Sequence, residues 1–117
     1  MKQTITDTYN IAWFKLAECV SRGEKERALG VYRLLAHSLN DDALAAQLKG
    51  DILLTFNVQE ALERYEEAAT LYIRSNRINK ATYVYEHLLT LQPHNKTYRS
   101  HIQQLQAQLR APSTATV

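Results

Sequence analysis

The residues of this chain best suited to chemistry are few: His87, His94 and His101, spaced by seven, and a single cysteine, Cys19. That spacing could bring two of them onto one face of the last helical hairpin, where they could share a metal ion. Ligand pairs on a helix, however, normally sit three or four residues apart. The three are therefore expected as exposed or edge histidines, with no metal. Cys19 has no CxxC partner and lies in an apolar stretch, the setting of a small buried hydrophobe rather than a reactive thiol. Gly-x-Gly-x-x-Gly, Gly-x-Ser-x-Gly and His-Glu-x-x-His are all absent, and three isolated glycines could not cradle a phosphate. Neither an enzyme nor a cofactor is expected.

Composition narrows the setting. A chain of 117 residues, 45% hydrophobic and 22% charged, suits one domain that buries its own core, with no linker. One cysteine cannot make an intramolecular disulfide, and MKQTITDTYN lacks the apolar centre of a signal peptide. A reducing cytoplasm is expected. No apolar run approaches the roughly 18 residues that span a bilayer, so no membrane insertion is expected. The net charge is +2, unevenly spread: Glu60, Glu63, Glu66 and Glu67 outnumber Arg64 and Arg74, whereas Arg77, Lys80, Lys96, Arg99 and Arg110 face Glu86 alone. Cations that sparse form a solvated face, and nucleic acid is not the expected partner.

The elements that must position any site are helices. Apolar residues recur at i, i+3, i+4 and i+7 and never alternate as in a strand. This predicts helices at 6–21, 25–38, 42–55, 58–74, 78–91 and 95–110, with turn chemistry at Gly23, at Asn40 to Asp42, at Asn57, at Ser75 and Asn76, and at Pro93. Asn57 is the expected N-cap of the fourth helix, with Glu60 reaching back as in a capping box. Pro93 ends the fifth helix near Leu91. Residues 112–117 carry no stripe and are expected to be disordered. Short joints force each helix to run antiparallel to the last, giving hairpins at 6–38, 42–74 and 78–110. Tyr98, Ile102, Leu105 and Leu109 form a narrow stripe on the last helix, suited either to capping the array or to docking on another copy as a homodimer.

Laid over one another, the segments resemble a known repeat. Trp13, Leu16, Ala17, Val20, Gly23, Ala28 and Tyr32 are similar to the pattern W-x2-L-G-x2-Y followed by A-x3-F, one residue short between the halves. Ala61, Tyr65 and Ala68, then Ala81, Tyr85, Leu88 and Pro93, repeat the second-helix signature. The hairpin starts also lie at about the 34-residue period of a tetratricopeptide repeat. The chain thus resembles the tetratricopeptide repeat family over residues 8 to 93. Ala61 and Ala81 are closer than one repeat, so helix 58–74 fits either repeat position, and the true second repeat could instead be 58–91.

The resemblance implies an all-α fold of antiparallel hairpins stacked as a right-handed superhelix, with Trp13, Tyr32, Tyr65 and Tyr85 in the core. It implies a function as well: a protein interaction module whose first helices line a concave groove for a peptide or partner helix. Carried over by position, that groove comprises Phe14, Lys15, Glu18 and Arg22, then Gln47, Gly50, Asp51 and Leu54, then Tyr83, His87 and Thr90. Phe14 is expected either in the adjoining hairpin or exposed on the groove side. The basic clamp by which some members hold a C-terminal carboxylate is not reproduced, since Phe14 and Glu18 stand where a Lys and an Asn would be. A small secretion or assembly chaperone is the alternative implied by three hairpins of this size.

Overall fold

A computed structural model describes residues 5–110, with side chains from Asn10 onward. Among these residues the chain forms six helices and no strand: α1 Ile5–Ser21, α2 Lys25–Leu39, α3 Asp42–Leu53, α4 Val58–Arg74, α5 Ile78–Leu91 and α6 Lys96–Arg110. The expected boundaries hold to within two residues. The tail at 112–117 lies outside the described residues.

Each joint satisfies the backbone groups that a helix end leaves orphaned. After α1, the Gly23 N–H bonds the Val20 carbonyl and the Glu24 N–H bonds that of Cys19, a Schellman turn with Gly23 at φ 73°. Asn76, at φ 60°, repeats it after α4, with Arg77 N–H on the Tyr72 carbonyl. Asp41, Asn57 and Asn95 accept the N–H groups of Leu44, Glu60 and Tyr98 at 3.2, 3.1 and 2.9 Å, capping α3, α4 and α6. The expected capping box forms only by half. The Asn57 N–H turns back to the Leu53 carbonyl, and Glu60 is drawn instead to Lys25 on α2, 3.2 Å away.

Each helix packs chiefly on its neighbours in sequence, as short antiparallel joints require. The Cα envelope measures 58 × 35 × 15 Å. A depth of 15 Å suits two helix layers, since axes pack about 8–10 Å apart and each Cα cylinder adds about 2.3 Å. Two apolar cores lie inside. Leu16, Cys19, Ala28, Leu35 and Ile52 form one. Ala43, Ala46 and Leu53 join residues of α4, α5 and α6 in the other. Helix α3 serves both, with Ile52 turned to the first and Leu53 to the second.

Ala28, Ala61 and Ala81 are fully buried, while Tyr65 and Tyr85 fill the space one turn further on. Trp13 and Tyr32 are only half-buried against the first core. The Tyr32 hydroxyl bonds the Ala45 carbonyl at 3.0 Å. On α6, Tyr98, Ile102 and Leu105 are buried in the second core, but Leu109 is 46% exposed, so the stripe ends one turn early. Three of its four members are thus engaged within the chain and are unavailable to another copy. Gly50 marks a close helix approach: a Cβ there would lie 2.8 Å from the Tyr65 ring. Gly50→Ala should gain about 1 kcal/mol of helix propensity yet lose more to overpacking, a net destabilisation of roughly 1 kcal/mol in urea titration.

Candidate interaction face

The residues expected to line a groove come from α1, α3 and α5, and α4 supplies the floor between the last two. On α3, Gln47 and Asp51 lie one turn apart. The Tyr72 hydroxyl donates to Gln47 Oε1 at 2.7 Å, and the Tyr65 hydroxyl donates to Asp51. Burial and the Asp51 carboxylate push the Tyr65 phenol well above its usual range, so at neutral pH it is a fixed donor. On α5, the His87 ring packs edge-to-face with Tyr65, centroids 4.9 Å apart. His101 stacks on Tyr85 at 4.7 Å. The two histidines are therefore held by different tyrosines, and among the described residues no cluster of potential ligands could hold a metal.

Two clefts flank α3. Between α3 and α5, a cavity of about 300 Å³ is lined by Leu44, Gln47, Tyr72, Asn79, Lys80 and Tyr83. Between α1 and α3, one of about 460 Å³ is lined by Trp13, Leu16, Ala17, Val20, Leu48 and Ile52, with Ser21 and Asp51 at its polar rim. Gln47 and Tyr83 thus share one cleft and Asp51 borders the other. Phe14, 79% exposed, lies on the open side of α1 with Lys15, Glu18 and Arg22, all three exposed. Glu18 and Arg22 pair at 3.5 Å across one turn. Of the expected groove residues only Gln47, Asp51 and Tyr83 line these clefts; Phe14, Lys15, Glu18, Arg22 and His87 do not, and neither do the remaining three. Gly50 is buried beneath Tyr65, Leu54 packs on the second core, and Thr90 is exposed with its hydroxyl on the His87 carbonyl at 2.6 Å. Leu44 and Lys80 also line the α3–α5 cleft, each three residues before Gln47 or Tyr83 on the same helix face. Leu48 and Val20 are apolar residues that the gap between α1 and α3 leaves half-buried, while Ile52 at its base stays in the core.

Comparison with known proteins returns no match, either to a protein-family model or to a characterised protein. Among the described residues no helix is long and apolar enough to cross a membrane.

A polar clasp holds the array behind this face. Arg77, at the joint before α5, grips Asp41, at the joint before α3, through Nη1–Oδ2 at 2.7 Å and Nη2–Oδ1 at 3.1 Å. Its guanidinium also covers the Tyr72 ring, 4.7 Å from the centroid. The Arg77 hydrogen bonds hold the Asp41 carboxyl below its usual range, against the opposing effect of burial. A carboxyl depressed in the folded state stabilises at pH values above its unfolded pKa, and that contribution is lost as pH falls through the folded value. Below about pH 4, the wild-type chain should therefore lose stability faster than Asp41→Asn, as read by urea midpoints from neutral to acid pH.

Proposed function

We propose that the chain is a protein interaction module of tetratricopeptide type, binding a peptide segment or helix of another protein across α1, α3 and α5. The observation that carries this reading is the pair of clefts on either side of α3, one apolar and one of mixed character. Together they offer adjoining seats for successive side chains of one segment. Exposed Phe14, Leu44 and Tyr83 supply the large side chains that most often anchor such contacts. The tyrosine hydrogen bonds to Gln47 and Asp51 favour the same reading, because they hold the floor in one geometry before a partner arrives. The second-helix signatures, with their buried alanines, support the repeat assignment.

The test uses the intact chain as bait, followed by peptide mapping of the retained partner and titration of the mapped peptide. Tyr83→Ala should weaken that peptide about tenfold or more while leaving thermal melting unchanged, since Tyr83 is 65% exposed. Equal affinity for the variant would remove the groove from the account. A partner recovered only as a co-expressed, otherwise aggregating subunit would favour the assembly-chaperone reading of the same face.

A further inference from the structure

The α3–α5 cleft differs from its neighbour in the polar groups that it offers. Leu44, Gln47, Tyr72, Asn79, Lys80 and Tyr83 line it, and none of the six is acidic. Lys80 is exposed, and its side chain makes no ion pair or hydrogen bond among the described residues. The Tyr72 hydroxyl occupies Gln47 Oε1, which leaves the Gln47 Nε2 donors as the uncommitted end of that amide. No acidic residue stands in the first turn of α5. The carboxylates nearest by position are already engaged, Asp41 with Arg77 and Asp51, at the rim of the other cleft, with the Tyr65 hydroxyl. One ammonium without a counter-charge and two amides thus stand beside the exposed apolar side of Leu44 and the exposed ring of Tyr83. Granted the interaction-module reading, on which this rests, we infer that the cleft selects an acidic protein segment, seating one apolar side chain against Leu44 and Tyr83 while Lys80 holds a neighbouring Glu or Asp side chain.

Charge complementarity selects the occupant. One ammonium balances one carboxylate, and the Gln47 and Asn79 amides donate to the remaining carboxylate lone pairs. Phosphate sites instead gather several cations or an arginine fork, and no arginine lines this cleft. Leu44 and Tyr83 also call for an apolar group on the same molecule, which free phosphate and a nucleic-acid backbone lack. Lys80 and Tyr83 are one turn apart, about 4.5 Å along α5, and an extended segment advances about 3.3 Å per residue. The acid therefore falls one or two residues from the apolar side chain. Because Lys80 is exposed, the ion pair forms at the rim, where it discriminates among partners more than it adds affinity.

The probe is an array of acetylated, amidated Gly-Ser peptides, each carrying one central Leu or Phe and one Glu, Gln or Lys at a varied distance from it, read with the intact chain. Retention should be strongest where Glu stands one or two residues from the apolar side chain, and it should fall with added salt. Lys80→Met should weaken the best Glu peptide about fivefold and leave its Gln counterpart unchanged. Lys80→Glu should weaken the Glu peptide about tenfold or more and strengthen the Lys peptide. Both variants alter an exposed side chain and should melt like the parent. Equal retention of Glu and Gln peptides, or a Glu preference that survives in Lys80→Glu, would overturn the acidic selection. If those peptides are still lost with Tyr83→Ala, the interaction-module reading stands without it. An array that retains no peptide would overturn the selection as well, and the bait experiment then decides the module reading by itself.

Discussion

Tyr65→Ala should cost about 3 kcal/mol or more, the range for truncating a buried aromatic. The ring is 1% exposed and carries three relationships at once. It packs face-on to Gly50 of α3, where a Cβ would already be too close. Its hydroxyl donates to Asp51 of the same helix, and it packs edge-to-face with His87 of α5. Alanine would leave a cavity at the junction of three helices, which cannot collapse because α3 is also held by the Asp41–Arg77 clasp. Urea denaturation measures the loss. Tyr65→Phe separates packing from hydrogen bonding: it keeps the ring and should cost only about 1 kcal/mol, the usual worth of one hydrogen bond. An alanine variant as stable as the parent would show that the α3–α4 pair does not depend on this ring.

Removal of residues 95 to 117 should be more damaging still. Tyr98, Ile102 and Leu105 are the buried face of α6, and each contributes roughly 1.5–3 kcal/mol by leaving water. Their combined loss is comparable with the whole stability of a small domain. The Tyr98 hydroxyl also anchors α6 to Glu66 of α4 at 2.7 Å. Burial together with that carboxylate raises the Tyr98 phenol, so the anchor persists through neutral pH. The truncated chain would present the apolar sides of α4 and α5 to solvent. It should melt far below the parent and aggregate, as read by circular dichroism and light scattering. The outer face of α6, with Arg99, Gln103, Gln104 and Gln108 all exposed, is the polar surface that the end of a stacked array needs. A truncated chain as stable as the parent would show that α6 is no cap.

Six helices and their limits were legible in the sequence because those signals are local. Gly23 and Asn76 reach positive φ without a large steric penalty, Asp41 and Asn57 cap from the first turn, and Pro93 cannot donate. Each acts within four residues. The burial of Ala61, Tyr65, Ala81 and Tyr85 was legible for the same reason, since small and large residues four apart share one helix face. What tertiary structure decided lies between helices. The gap between α1 and α3 leaves Val20 and Leu48 half-buried at a cleft whose base is the buried Ile52, and no spacing within one helix encodes that distance. Glu60 left its capping box for Lys25 because α2 brought a cation within reach. Asp41 and Arg77, 36 residues apart, meet only because successive hairpins set their joints side by side. Leu109 belongs to the apolar stripe by periodicity yet stands in solvent, because a stripe is set by the helix's own turn and its burial by where the neighbouring helix lies.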